Sequence, residues 1–425
     1  MKERTNETGS LQGIFQSSFE AYAAKRKLPL KHYKAAHAIM TCRTPEQGGH
    51  IQACPDGHES HIQYHSCRHR SCPRCNALPK EQWIHKQLSK LLEVDHYHLI
   101  FTLPHELIPV WKYNKRWFAH TLFHVVKETL LTLSKEDKYM GALPGLLLSL
   151  HTWGRNLSLH PHVHCLMTGG GLTDTGEWKG VRNNYLLPAR VVRALYQGEF
   201  LAALWKGLKK EELSFPSDMQ EQSFTAELKK LGKKKWNVRI QPPYTHGRGV
   251  VKYLSRYVKG GPIGDHRLIS SDEKMICFSY KDHNDGMKKI QTLSTTEFIN
   301  RVLEHVAEPY QHTIRYGGLY GLQARNKRNL CREQLGTNPE KDVEPLTWID
   351  YLEQQGDPIK VACLHCGKPL VQGGTVPKIS INRVWGSGYV QQSVEPAAIK
   401  CSSISGFRAL NDYGGDFDFS EVHVN

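Results

Sequence analysis

The stretch LHPHVHCLMTGGGL, Leu159 to Leu172, carries His160, His162 and His164 at every second position and runs into three glycines. A strand sends alternate side chains to one face, so these imidazoles would project side by side and could hold a divalent ion. His-x-His alone says little, and His96 and His98 repeat the spacing. Its weight comes from a second element.

GRGVVKYLSRYVKGGP, Gly247 to Pro262, has the period of a helix of about three turns, closed by Gly-Gly-Pro. One side gathers Val250, Val251, Leu254 and Val258, and roughly opposite lie Lys252, Arg256 and Lys259. Tyr253 and Tyr257 are stacked one turn apart on the strip between these faces. A phosphodiester resists attack because its oxygens are charged. A metal ion on imidazoles polarises such an oxygen, and cations lower the cost of ionising a tyrosine hydroxyl. Attack would leave a phosphotyrosine and a free 3′-OH with the bond energy retained. Two tyrosines could hold two strands in succession.

A second cluster, CPDGHESHIQYHSCRHRSCPRC, spans Cys54 to Cys75. Cys72-Pro-Arg-Cys75 reads as a zinc knuckle, in which a tight turn presents two thiolates to one tetrahedral ion. The simplest partner pair is Cys54 with His58, Cys67 is a fifth donor, and Cys42 and His50 lie just upstream. That is too many donors for one tetrahedral site. Cys363-Leu-His-Cys366 is a half-knuckle that Cys331 and Cys401 could complete. Arg68, Arg70 and Arg74 decorate the first knuckle and suggest nucleic acid, as does the run Lys233, Lys234 and Lys235.

The elements that must position these groups give an α+β pattern. Helical spacing marks Phe15, Phe19 and Tyr22, then Glu81 to Leu92, 111 to 134, 184 to 211, and Thr295 to Val306. HYHLIFTLP, the histidine stretch and MICFSY read as strands, and KKLGKKKWNVRI as a basic loop entering a strand. Three parts follow: residues 1–90 with the zinc module, 91–310 as the catalytic domain, and 311–425 as a C-terminal extension. The excess of 56 Lys+Arg over 41 Asp+Glu, a net +15, favours a polyanionic partner. MKERTNETGS has no apolar core of a secretory signal, and the apolar run at Leu143 to Leu150 is too short to span a bilayer. A cytoplasmic, nucleoid-associated protein is expected, with no membrane partner. Eleven cysteines, an odd number clustered with histidine, point to metal rather than disulfides.

SCRHRSCPRC, FTLPHEL, LHTWGRNLSLHPHVHCLMTGGGL and KYLSRYV, in this order within about Cys42 to Tyr316, resemble the bacterial rolling-circle insertion-sequence transposases of the HUH class. The likeness is to the branch with an N-terminal zinc domain, the IS-ninety-one type. It implies that His162 and His164 bind Mg²⁺ or Mn²⁺ and that Tyr253 and Tyr257 cleave single-stranded DNA, Tyr253 being indispensable. It also implies an antiparallel sheet carrying the histidines, with the tyrosine helix packed beside it. The class adds a third polar ligand. His151, returned by the Trp153-Gly154 turn, is the first candidate and His160 the second. Lys252 and Arg256 are further DNA contacts, and host replication machinery would supply any helicase, since no GxxxxGK[ST] motif is present. A rolling-circle replication initiator would share this chemistry, whereas a zinc-dependent regulator would lack it.

Overall fold

The computed structural model describes residues 9–245, 249, 251–252, 254–255, 261–282, 285–354, 362–379, 384–385 and 389–390. Helices α1 (Leu11–Ala24) and α2 (Leu30–Thr41) lead into a hairpin of β1 (Gly49–Ala53) and β2 (Ser60–Tyr64), then α3 (Ala77–Lys90). Next come β3 (His96–Thr102), α4 (Ile108–Tyr113), α5 (Lys115–Lys135), β4 (Leu143–Trp153), β5 (Leu159–Leu172) and β6 (Trp178–Gly180). They are followed by α6 (Ala189–Lys209), α7 (Glu221–Lys233), β7 (Val238–Ile240), β8 (Leu268–Ser271), β9 (Met275–Lys281) and β10 (Lys288–Ser294). The described chain continues through α8 (Thr295–Glu304), β11 (Ile314–Gly318), α9 (Arg325–Gln334), α10 (Trp348–Gln354) and β12 (Val371–Val376).

The protein is α+β. Its largest sheet is antiparallel, in the order β11-β4-β5-β3-β7, with β6 paired to β5. Both faces of its middle are covered. Leu146, Leu148 and Leu150 of β4, with Val163, Cys165 and Met167 of β5, pack on Phe118, Leu122 and Val126 of α5 and Tyr196, Phe200 and Leu204 of α6. The opposite face sends Leu147 and Leu166 against Ile84, Val251, Leu254, Tyr320 and Cys331. A strand buried on both faces becomes nearly continuously apolar, which explains the run at Leu143 to Leu150. A second core joins α1 and α2 to α8 and to the small sheet β8-β9-β10, and includes Cys42, Cys72 and Cys75. A third sheet runs β12-β1-β2.

Local chemistry moves three expected boundaries. The helix expected over 111–134 breaks at Asn114, whose side chain donates to the Val110 carbonyl at 2.8 Å and accepts from the Ser214 amide at 2.8 Å. The next helix starts only after Pro188, since proline suits a helix entrance rather than its interior. The basic run at Lys229 to Lys233 is no loop: it is the last turn of α7, fixed by the buried Phe224, Leu228 and Leu231. β11 extends the main sheet past residue 310. Among the described residues, no helix is long and apolar enough to cross a membrane.

Leu166, fully buried between the sheet and the helical residues Val251 and Leu254, has no room to be truncated without a cavity. Leu166→Ala should lower stability by about 2–5 kcal/mol. Leu322→Ala, at a 55% exposed site, should stay within roughly 0.5 kcal/mol of the parent. Urea unfolding of both variants checks the difference.

Candidate metal centres

The β4–β5 hairpin sets His151 directly opposite His162 and Ser149 opposite His164. The hairpin turn, closed by the Gly154 amide donating to the Ser158 carbonyl at 2.8 Å, brings the strands back together. His151, His162 and His164 are buried, and one nitrogen of each lies within 4.8 Å of the others. Their ring centroids are 4.1 Å (151–164), 4.7 Å (162–164) and 5.2 Å (151–162) apart. The structure thus joins His151 to the pair. It leaves His160 outside the group, between His162 and His105.

The surroundings orient these rings. His162 Nδ1 donates to the His160 carbonyl at 2.5 Å, which leaves Nε2 with a lone pair. His164 Nδ1 shares a 2.7 Å hydrogen bond with His98 Nε2 on the neighbouring strand β3. Such outer partners fix the tautomer and aim a ligating imidazole. Burial pushes His98 down to about 4, and burial, then His162 and His98, hold His151 well below the ordinary histidine value. Neutral rings are what a metal ion needs. His98 was not singled out by spacing, because His96 shares it. His96 instead bonds the Val94 carbonyl and the Tyr320 hydroxyl.

Lys252 is exposed beside the buried Val251, Leu254 and Ser255. Tyr253, Tyr257 and Arg256 lie outside the described residues. Just beyond, Gly261 has φ +71°, and a Cβ there would sit 2.6 Å from the Ser71 carbonyl. Only glycine fits this approach to the zinc knuckle.

The cysteine groups divide differently from their order along the chain. Cys42, at the end of α2, joins Cys67, Cys72 and Cys75, with one ligand atom from each within 4.8 Å. Cys67 and Cys75 sulfurs are 3.6 Å apart, and the His69 amide donates to Cys67 Sγ at 3.5 Å. Hydrogen bonding from Cys67, then Cys72 and Cys75, pulls the Cys42 thiol far down, while Cys42 pushes Cys67 up. Four such thiols are a tetrahedral zinc set. Cys54 and His58 are not the partners of Cys72 and Cys75. The β1–β2 turn carries them away to Cys363 and Cys366, forming a second group of four. His50 belongs to neither group and faces His65 at 3.5 Å. Cys331 is buried under the main sheet, and Cys401 lies outside the described residues.

Arg70 turns inward, which corrects its expected contact with nucleic acid, whereas Arg74 stays exposed while bonding one neighbour. Arg70 donates to the Gln311 carbonyl at 2.9 Å and to Thr313 Oγ1 at 2.6 Å, and Arg74 donates to Gln12 Oε1. Thr313 in turn accepts from the Leu150 amide, next to His151. Arg70 therefore ties the knuckle to the histidine strand. Arg68, Lys233, Lys234 and Lys235 are exposed, although Lys234 pairs with Glu106.

A family model described as "Putative transposase" matches residues 145–328, and one described as "Transposase zinc-binding domain" matches residues 14–103. A protein carrying the first of these descriptions, y4qJ of Sinorhizobium fredii, is 35% identical over 352 residues, 80% of this chain and 88% of that protein. The transposase for insertion sequence element IS801 of Pseudomonas savastanoi pv. phaseolicola is 32% identical over 287 residues, covering 66% of this chain and 68% of that protein. No solved structure matches the chain.

The depressed values of His98 and His151 carry a sign. As pH falls below 6.5 the unfolded chain takes up these protons first, so native stability is lost progressively, for His98 down to about pH 4. His98→Gln removes one such group, so its urea midpoint should fall less between pH 7 and pH 5 than the parent's. The same variant should bind Mn²⁺ about 10–100-fold more weakly by calorimetry at pH 7.

Proposed function

This chain belongs to the insertion-sequence transposases of the IS-ninety-one type, which have an N-terminal zinc-binding domain, and from that premise we propose that it is an HUH-type nuclease that nicks and transfers single-stranded DNA through a 5′-phosphotyrosine. As a transposase it acts on DNA. The finer reading adds rolling-circle transfer, with residues 1–90 as the zinc module, 91–310 as the nuclease and 311–425 as an extension.

One observation carries this reading. His151, His162 and His164 lie on the sheet face against which Val251 and Leu254, the neighbours of Tyr253, are packed. Three buried imidazoles with convergent nitrogens, His151 held neutral by its burial, fit a divalent ion, and nitrogen donors favour Mn²⁺ over Mg²⁺. When bound, that ion would polarise a phosphate oxygen and accommodate charge in the transition state. The protein's own part is to hold the three rings together, with His162 and His164 aimed by their bonds to the His160 carbonyl and His98, and to supply the attacking phenol from a tyrosine. The tyrosine oxygen bonds to phosphorus, the bond to the 3′ oxygen breaks, and the phenolic proton ends on that oxygen. The second tyrosine repeats the step on the incoming strand.

Arg68, Arg74, Lys233, Lys235 and Lys252 are the exposed cations assigned to the DNA backbone, with Lys234 and Arg256 as further members of that set. Each phosphate contact releases counterions, so binding should weaken steeply with salt. The structural zinc of the N-terminal domain is assigned to Cys42, Cys67, Cys72 and Cys75.

The test uses purified protein, Mn²⁺ and labelled single strands tiling both flanks of the gene. A DNA adduct that survives SDS is expected from one strand, and His162→Ala or Tyr253→Phe should abolish it while leaving DNA binding nearly intact. An undiminished adduct in Tyr253→Phe and Tyr257→Phe, or no adduct on any tightly bound strand, would overturn the assignment.

A further inference from the structure

The second group of four lies partly outside both segments matched by the transposase families: Cys54 and His58 fall within residues 14–103, but Cys363 and Cys366 fall in neither. We infer that Cys54, His58, Cys363 and Cys366 bind a second structural zinc, which clamps the C-terminal segment 362–379 onto the N-terminal hairpin.

The donors are three sulfurs and one imidazole nitrogen, a set that selects zinc among common divalent ions. Zn–S near 2.3 Å and Zn–N near 2.0 Å require tetrahedral edges of roughly 3.5–3.8 Å. The observed separations are 3.5 Å between Cys54 Sγ and His58 Nδ1, 3.5 Å between Cys54 and Cys366 sulfurs, and 3.9 Å between Cys363 Sγ and His58 Nδ1. Cys54 and Cys363 are nearly fully buried, although the surrounding turns are exposed.

Both halves have a knuckle's backbone. The His365 amide donates to Cys363 Sγ at 3.4 Å, as the His69 amide does to Cys67 in the first centre. Gly57 at φ +77° and Gly367 at φ +70° turn the chain behind Cys54 and Cys366. Groups beside the donors already match across the joint. Lys368 pairs with Asp56 at 2.8 Å, and Glu59 accepts from the Leu364 amide at 2.6 Å.

The clamp has an evident mechanical task. β12 pairs with β1 through a bulge at Ile51 and Gln52, and β1 is its only strand partner among the described residues. A strand held along one edge, about 300 residues away in sequence, gains a fixed end from a metal joint beside it. The cysteines are free rather than disulfide-bonded, which leaves all three thiols available as donors.

The test measures zinc per chain by mass spectrometry in full-length protein carrying His162→Ala, so that the histidine centre does not contribute. Two zinc ions are expected in that background and one after adding Cys363→Ser and Cys366→Ser. His58→Cys, which keeps four donors, should retain two. Hydrogen exchange should speed up at β12 amides in the double cysteine variant while β4 and β5 amides stay unchanged. A single zinc in the His162→Ala background, or two zinc ions retained by the double variant, would overturn the clamp.

Discussion

The pairing of β4 with β5 sets His151 against His162, and the candidate catalytic centre depends on that register. Side chains alternate along a strand, so a slip of one residue would turn the imidazoles toward α5 and α6 and the leucines toward the face of Val251 and Leu254. The slip is forbidden by what lies behind. Leu146, Leu148, Leu150, Val163, Cys165 and Met167 fill one continuous core with Phe118, Phe200 and their neighbours. Losing that burial would cost about 1.5–3 kcal/mol for each large side chain exposed. Apolar packing on one face thus holds three polar rings on the other, where burial keeps His151 neutral.

The metal modules extend the same logic to the chain's ends. A four-thiol centre is built into the core that holds α1, α2 and α8, so its occupancy bears on folding itself. Through Arg70, Gln311 and Thr313 it reaches the strand beside His151, and the Ser71 carbonyl next to it lies close against Gly261. Of the knuckle arginines, Arg70 is consumed in this fastening. Arg68 and Arg74 stay exposed on the knuckle, and Lys233, Lys235 and Lys252 lie on other segments, so the +15 charge does not sit on the zinc module alone.

Much of this was legible in the residue pattern, for definite reasons. Alternation marks a strand wherever it occurs, and Trp153-Gly154 is short enough to return His151 to its neighbour, so the third histidine could be named. The tyrosine helix announces itself by period, though only Gly249, Val251, Lys252, Leu254 and Ser255 of it can be compared with the structure. What escaped depends on contacts between distant segments. His98 and His96 have identical spacing, and only the register of β3 on β5 brings His98 to His164. Cys54 and His58 precede the Cys72 knuckle closely in the chain, but β2 separates them from it and the β1–β2 turn delivers them to Cys363 and Cys366, just before β12. In α7, the spacing of Phe224, Leu228 and Leu231 held the signal, which the neighbouring lysines obscured.

The central claim is that one sheet face gathers three histidines around one divalent ion. Pulsed electron paramagnetic resonance of Mn²⁺ bound to the zinc-loaded protein, with the histidines labelled by ¹⁵N, reads those ligands directly. The account predicts coupling to imidazole nitrogens of three histidines, reduced to two in His151→Ala and lost with metal affinity in His162→Ala. Mn²⁺ surrounded by water and carboxylate oxygen alone, with a spectrum unchanged by either substitution, would contradict it.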